Sequence, residues 1–159
     1  PRRGETFVTR KITKTLCKID IGLQECLYIG NLNSMRDWGH AKDYVEAMWK
    51  ILQQKKPEDY VIATGKQYSI RTFVNIVCKK LSIKIKWSGK GFKEKGIDSK
   101  KKQTIIEIDK NYFRPLDVNT LLGNPAKAKK KLKWRPKYNL NSLIDEMISE
   151  EINIIDEYK

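Results

Sequence analysis

The first half of the chain alternates between helix-like and strand-like patterns of apolar residues. Three stretches, at 6–19, 41–52 and 69–81, carry apolar residues at steps of three and four, the spacing of one helix face. Between them lie two continuous apolar runs, at 25–32 and 60–64, each closed by a turn that contains glycine. Runs that are apolar on both faces are typical of strands in a parallel sheet covered by helices. The order therefore predicts an α/β layer fold.

The second half of the chain has a different pattern. Residues 83–87 and 104–108 alternate apolar with polar side chains, which predicts antiparallel strands with one exposed face. The Gly- and Lys-rich stretch between them, 89–102, is predicted to be a solvated loop. A short lysine-rich helix should begin at Pro125, and a last helix should begin near Ser142.

Length and composition favour a folded protein of one domain or part of one. The 159 residues suffice for a core, and the hydrophobic fraction of 40% excludes a disordered tail. No run approaches the roughly 20 apolar residues of a membrane span, and no secretory signal is visible. We therefore expect a soluble, cytoplasmic protein without a membrane partner. Its three cysteines have no CxxC spacing, which argues against a disulfide framework and a metal site.

The net charge of +14 raises the question of a nucleic-acid partner, because lysine and arginine can follow a phosphate backbone. The lysines, however, are spread over helix faces and over 90–102 and 127–133. No zinc-finger, helix-turn-helix or RNP-like motif accompanies them. We therefore disfavour the hypothesis of a basic nucleic-acid-binding protein.

The side chains and loops that most often carry catalysis give no convincing site. A Ser-His-Asp triad would need the single histidine, His40, which we interpret as a packed or capping residue at a helix start. Gly89, Gly91 and Gly96 match neither G-x-G-x-x-G nor the P-loop, because Ile97 follows the last glycine. No catalytic residue is predicted in this chain.

Two arginines lie in surroundings that suit phosphate binding. Arg36 follows the end of the first predicted strand, where open α/β sheets bind ligands, and Arg114 precedes a proline in an aromatic segment. A pair of planar guanidinium groups can clamp a diphosphate. Without further context, an ordinary surface ion pair for each arginine is the favoured interpretation, and the clamp is the alternative. The residues alone leave both interpretations open.

Eight short sequence motifs, spread in order over nearly the whole chain, favour the ligand-binding interpretation of these arginines. They are PRRGETFVTRKI (1–12), GNLN (30–33), RDWGHAKDYVEAMW (36–49), PEDYVIATG (57–65), YFRP (112–115), LLG (121–123), AKAK (126–129) and LKWRP (132–136). Together they closely resemble the GDP-mannose 4,6-dehydratase family of extended short-chain dehydrogenases/reductases. The longer motifs separate this family from its epimerase relatives.

The resemblance implies the C-terminal part of an extended short-chain dehydrogenase/reductase Rossmann-like fold. Its last parallel strands would lie near 25–32 and 60–64, and a small mixed α/β substrate-binding subdomain would occupy mainly 66–159. In this family the Pro-Arg-Arg-Gly motif follows the cofactor loop, the catalytic Thr and Glu, and the Tyr-x-x-x-Lys pair. No tyrosine here has a lysine four positions later, and the chain opens at Pro1. We therefore expect a fragment without its NADP-binding and catalytic half.

The activity implied by the resemblance is that of a hydro-lyase. The complete enzyme would use NADP to convert GDP-mannose into GDP-4-dehydro-6-deoxy-mannose, a step toward GDP-fucose and related deoxysugars, and would be a homo-oligomer. This chain would supply the GDP-sugar site. The alternative is a module that binds a nucleotide sugar without turning it over.

The resemblance also assigns ligand contacts to individual positions. They are Arg3 for NADP, Val8 and Lys11 beside the nucleotide, Gly30 and Asn31 beside the base and ribose, Arg36 and Arg114 as a pyrophosphate clamp, and Asp117 for the ribose hydroxyls. One segment departs from the family, which usually has Glu and Asp where this chain has Asp117 and Asn119. The shorter carboxylate can still accept hydroxyl hydrogen bonds, but Asn119 lacks the usual charge.

Overall fold

Helices and short strands alternate along residues 1–113 and 118–157, the part of the chain that the computed structural model describes. The helices are α1 (Val8–Asp20), α2 (Ala41–Leu52), α3 (Ile70–Lys80), α4 (Ala126–Lys131) and α5 (Leu140–Glu157). The strands are β1 (Leu27–Ile29), β2 (Met35–Arg36), β3 (Tyr68–Ser69), β4 (Ile85–Ser88), β5 (Lys95–Asp98), β6 (Gln103–Ile108) and β7 (Thr120–Leu121). All five predicted helices are confirmed. Within these ranges no helix has the length and apolarity that a membrane span requires.

The strands form two mixed sheets. In the larger sheet, of order β1-β6-β5-β4, β1 pairs in parallel with β6, and the other two pairings are antiparallel. In the smaller sheet, of order β3-β2-β7, the central strand β2 is antiparallel to β3 and parallel to β7. The predicted mixed α/β fold is therefore present, and the predicted strand at 25–32 is confirmed as β1.

The strand predicted at 60–64 is wrong for the chain as described. A strand exists only where its backbone pairs with a neighbour, and no other described segment pairs with these residues. Tyr60 and Ile62 instead pack against a small apolar cluster. In the turn that follows, the backbone N–H of Thr64 donates a hydrogen bond to the Asp37 carboxylate. The apolar run at 60–64 therefore reflects side chains that pack inward, while its backbone pairs with no neighbouring strand.

The loop predicted at 89–102 is also wrong, because β5 occupies its middle. β5 pairs on both sides, with β4 and with β6, so its backbone is satisfied although its side chains are unusual for a strand. A Cβ at Gly96 would lie 2.9 Å from Ile85 and 3.0 Å from Ile106. Glycine at this point therefore lets the neighbouring isoleucines fill the space above the strand.

The main core lies between helices α1, α3 and α5 and the larger sheet. Its fully buried side chains include Ile12, Leu16, Leu27, Phe73, Val77, Ile105, Ile106 and Ile144. A second, smaller cluster, which we call the Trp134 cluster, joins α2 to α4 and the segment after it. Its buried members are Ala47, Ala128, Leu132 and Trp134, with Tyr44, Ile51, Tyr60 and Ile62 packed against them.

A buried ion pair ties the two ends of the chain together. Arg10 Nε of α1 donates to Glu151 Oε1 of α5 at 2.8 Å, and the carboxylate side chain is only 3% exposed. Arg10 Nη1 also donates to the backbone carbonyl of Arg3 at 2.8 Å. Removing one partner of such a pair would leave an uncompensated buried charge. One guanidinium therefore links the N-terminal arm to the last helix.

The three cysteines are free thiols with low reactivity. Burial raises the pKa of Cys17 and of Cys78 to about 12, and that of Cys26, which is only half-buried, to about 11. Only the thiolate reacts with alkylating reagents. We expect Cys26 to react first with iodoacetamide at pH 8, its rate rising about tenfold per pH unit toward pH 10. Cys17 and Cys78 should react only after unfolding in guanidinium. Mass spectrometry of the labelled peptides checks this, and rapid native labelling of Cys78 would contradict it.

Candidate functional site

Lys11 and Gly30, two positions to which the resemblance assigns nucleotide contacts, meet at Tyr112. The ammonium nitrogen of Lys11 lies 3.1 Å from the centroid of the Tyr112 ring. A Cβ at Gly30 would lie 2.1 Å from the Tyr112 carbonyl oxygen, so only glycine permits this backbone approach. The Tyr112 side chain is 53% exposed. The Lys11 ammonium and the Tyr112 ring are thus partly exposed together, above a buried glycine that lets the Tyr112 backbone pack against the end of β1.

Strand topology brings these residues to one place. Gly30 directly follows β1, and Tyr112 ends the 3₁₀ turn that follows β6. Because β1 and β6 are parallel, with Ile29 opposite Ile108, their carboxyl ends meet at the same sheet edge. The backbone N–H of Asp109 donates to the Ile29 carbonyl at 2.9 Å and extends the pairing past the strand end. This edge is where open α/β sheets bind ligands.

Asn31 and Val8 border this edge through structural contacts. Asn31 Oδ1 accepts a hydrogen bond from the backbone N–H of Asn33 at 2.9 Å and so shapes the turn after β1. Val8, the first residue of α1, is half-buried, packs against the main core and lines a large cavity. Neither contact by itself indicates a ligand.

Arg36 lies in β2, the central strand of the smaller sheet. Its Nη1 donates to the carbonyls of Met35, at 2.9 Å, and Val118, at 2.6 Å. The arginine lines a cleft of about 390 Å³ together with residues 61–63 and 121–123. Its proposed partner in the clamp, Arg114, and the expected ribose ligand Asp117 lie outside the described residues.

Asp37, which the sequence reasoning did not single out, anchors the segment opposite Arg36. Its Oδ1 accepts from the Thr64 backbone N–H at 3.1 Å and from Thr64 Oγ1 at 2.5 Å. Its Oδ2 accepts from the Gly65 N–H at 2.9 Å, where φ is +77°. The carboxylate thus fixes a turn whose geometry favours glycine. Its only sequence signal is its place directly after Arg36.

Arg3 lies in a second, larger cavity of about 860 Å³, which also contains Val8 and His40. Its guanidinium carbon is 4.2 Å from the centroid of the exposed Phe7 ring. Within 1–113 and 118–157, no carboxylate forms an ion pair with this guanidinium. An exposed arginine stacked on an aromatic ring is suited to hold an anionic group.

His40 caps α2, as the sequence interpretation holds. Its Nδ1 accepts from the Lys42 backbone N–H at 3.1 Å, and its Nε2 lies 3.2 Å from Glu146 Oε2. The ring stacks on Tyr138 with centroids 4.2 Å apart and is 3% exposed. Lys42 hydrogen-bonds the Glu146 carboxylate and lowers its pKa. The histidine is therefore engaged in helix capping and packing.

Comparisons with known proteins identify the family of this chain. The model of the family described as GDP-mannose 4,6 dehydratase matches residues 1–147. The chain belongs to this family. The GDP-mannose 4,6 dehydratase of Dictyostelium discoideum is 53% identical over 155 residues, covering 98% of this chain and 44% of the relative. The GDP-mannose 4,6-dehydratase of Vibrio cholerae is 49% identical over 164 residues, with 97% and 44% covered. The chain spans less than half the length of these relatives.

Solved structures of more distant proteins share the fold. The RMD protein of Pseudomonas aeruginosa, complexed with NADPH, gives a TM-score of 0.78 at 16% identity, covering 97% of this chain and 45% of that one. The dTDP-glucose 4,6-dehydratase of Bacillus anthracis, complexed with NAD, gives 0.69 at 18% identity, with 94% and 40% covered. These likenesses identify the mixed α/β fold of the extended short-chain dehydrogenases/reductases.

The close approach at Gly30 gives a test of the candidate site. Gly30→Ala would force the Tyr112 carbonyl away and should lower the free energy of unfolding by about 2–3 kcal/mol, as overpacking does. Gly22→Ala is the matched control, because nothing lies within 4 Å of the added Cβ. Only the strain of a non-glycine residue at positive φ should lower its free energy of unfolding, by about 1 kcal/mol. Urea unfolding followed by tryptophan fluorescence measures both variants. Equal losses would contradict the close approach.

Proposed function

We propose that this chain supplies the GDP-sugar site of an NADP-dependent GDP-mannose 4,6-dehydratase. This hydro-lyase would convert GDP-mannose into GDP-4-dehydro-6-deoxy-mannose, with net loss of one water. The observation that carries the proposal is the convergence of Lys11 and Gly30 on Tyr112 at the end of two parallel strands, in a chain that belongs to the family. The family also leads us to propose a cytoplasmic, homo-oligomeric enzyme.

The base and ribose of GDP are assigned to the edge formed by Gly30, Asn31 and Lys11. Gly30 would shape this edge by letting the Tyr112 backbone, and with it the Tyr112 ring, pack against the end of β1. The ammonium of Lys11 is a donor that suits the carbonyl oxygen of guanine or a phosphate oxygen. Val8 would border the nucleotide from the start of α1. Asp117 would accept hydrogen bonds from the ribose hydroxyls.

The diphosphate is assigned to Arg36 and Arg114. Support comes from the cleft beside Arg36 and from its position on a short strand paired on both sides. Asp37 would hold that cleft open by fixing the turn at Thr64 and Gly65. Two guanidinium groups would neutralise the diphosphate and orient the sugar, which is a positioning contribution to the reaction.

NADP is assigned to the large cavity that contains Arg3. The fit is supported by the exposed guanidinium on the Phe7 ring and by a cavity volume of about 860 Å³. When bound, NADP supplies the hydride acceptor for oxidation at C4 of the mannose and the donor for reduction at C6. Arg3 would hold a negatively charged group of the cofactor. We assign no proton-transfer or hydride-transfer residue to this chain.

The assignments predict opposite selectivity for two arginines in the enzyme that contains this chain. Arg36→Ala should weaken GDP-mannose binding about 10- to 150-fold, the equivalent of about 1.5–3 kcal/mol for a charge-assisted hydrogen bond, and leave NADPH binding nearly unchanged. Arg3→Ala should do the reverse. Arg114→Ala should resemble Arg36→Ala. Calorimetric titration with each ligand measures these effects.

A matched control is Arg135→Ala, which removes the same charge from an exposed position outside both cavities. It should change neither affinity beyond about twofold, since surface charges contribute little. If Arg36→Ala weakens both ligands equally, or neither, the clamp assignment is wrong. Turnover of GDP-mannose, followed by appearance of the 4-keto product, separates the enzyme from a module that binds without reacting.

A further inference from the structure

Arg71, near the start of α3, connects two segments that border the candidate site. Its Nη1 and Nη2 donate to the two carboxylate oxygens of Glu94, at 2.6 and 3.0 Å. Nη2 also donates to Asn33 Oδ1 at 3.1 Å. Glu94 closes the loop 89–94 between β4 and β5, and Asn33 lies in the turn 30–34 that follows β1. One guanidinium therefore joins a loop and a turn that are far apart in sequence.

The surroundings of the Arg71 guanidinium hold it in one orientation. Its central carbon lies 4.7 Å from the centroid of the Trp87 ring, and Trp87 Nε1 donates to Asn75 Oδ1 of α3 at 3.0 Å. The side chains of Arg71 and Glu94 are 25% and 15% exposed. Two parallel hydrogen bonds in a half-buried place are stronger and better defined than a surface ion pair. The pair is therefore a fixed link between its two segments.

At the turn after β1, Arg71 binds both backbone and side chain. Its backbone N–H donates to the Leu32 carbonyl at 2.9 Å, and its Nη2 reaches the Asn33 side chain. The backbone N–H of Asn33 in turn donates to Asn31 Oδ1. Asn31 is one of the positions assigned to the base and ribose. Arg71 therefore fixes the shape of the segment on which that assignment depends.

The loop 89–94 makes the second contact with the candidate site. The ring of Phe92, in the 3₁₀ turn of this loop, meets the Phe113 ring edge to face, with centroids 4.9 Å apart. Phe113 directly follows Tyr112, the residue whose ring lies against the Lys11 ammonium. Because the last residue of the loop is held by the guanidinium, the position of Phe92 against this segment is held as well.

We propose that Arg71 is a positioning residue of the GDP-sugar site. It acts through the turn 30–34 and the loop 89–94, and by fixing both before the ligand arrives it lowers the entropic cost of binding. Among the described residues, none of these lines the cavity assigned to NADP. Affinity for the nucleotide sugar therefore depends on Arg71, and affinity for NADP does not. The inference rests on the proposed function, since it takes the nucleotide to lie at the end of β1.

Arg71→Lys tests the inference in the complete enzyme that contains this chain. Lysine keeps the charge but lacks the planar fork, so it no longer holds the loop and the turn together. By calorimetry and steady-state kinetics, the Kd for GDP and the KM for GDP-mannose should each rise about 10-fold, since a misplacement of about 1 Å costs up to about 100-fold. The value of kcat should fall about twofold or less, because the lost contribution is to binding. The Kd for NADPH should stay within about twofold of wild type, which also shows that the variant is folded.

Glu94→Gln removes the same link from its other side. It should raise the Kd for GDP as much as Arg71→Lys does, and the double variant should lose no more than either single variant, because both changes remove one interaction. Lys95→Ala is the matched control. It breaks the exposed ion pair between Lys95 and Glu107, 2.7 Å long, on neighbouring strands of the same sheet, and should change no affinity beyond about twofold.

Amide hydrogen exchange without any ligand reports on the link itself. In Arg71→Lys, the backbone N–H groups of Lys93 and Glu94, which close the 3₁₀ turn, should exchange at least about tenfold faster than in the wild type. Those of Ile105 and Ile106, buried in β6, should exchange at the wild-type rate.

The inference is overturned by wild-type affinity for GDP in Arg71→Lys, by unchanged exchange at Lys93 and Glu94, or by a loss in Lys95→Ala as large as that in Arg71→Lys. Equal loss of GDP and NADPH binding also overturns it, because that result indicates a general loss of structure. A wild-type enzyme that binds NADPH but not GDP-mannose gives a different result, since it overturns the proposed function itself and this inference with it.

Discussion

The carboxylate of Asp37 is the interaction on which the arrangement of the candidate site depends. It collects three hydrogen bonds from Thr64 and Gly65, and it directly follows Arg36 on the central strand of the smaller sheet. A Cβ at Gly65 would lie 3.4 Å from Pro125 Cδ, so the same turn lies beside the start of α4, the helix that supports Trp134. A carboxylate satisfied by several donors is a strong local constraint. The cleft beside Arg36 and the Trp134 cluster therefore both border a turn that one carboxylate holds in place.

The remainder of the site follows from strand direction. Because β1 and β6 run in parallel, segments separated by about 80 residues in sequence end at one edge, and the chain places a glycine, an ammonium and an exposed aromatic ring there. None of these groups is reactive in itself. Their value lies in position, which is what the proposed GDP-sugar site requires of them.

Sequence patterns predicted the helices and β1 because those signals are local: helical spacing in α1 and α3, and a capping serine at 69. The strand at 60–64 was mispredicted because pairing depends on a neighbour that a single segment cannot encode. β5 was missed because Lys95 and Gly96, within a stretch rich in lysine and glycine, look like a loop until β4 and β6 flank them. The role of Asp37 had no local signal, since its partners lie 27 residues away. Periodicity found the apolar residues of α2 but not which face is covered, because that depends on tertiary packing.

The bridge made by Arg10 has a consequence for handling the protein. Its guanidinium touches the carbonyl of Arg3 on one side and the carboxylate of Glu151 on the other, so the first residues are held in place by the last helix. The segment before α1 and helix α5 are thus held together, although they are far apart in sequence. A substitution in the residues before α1, or in α5, therefore acts on the same cavity even when it is meant to be remote.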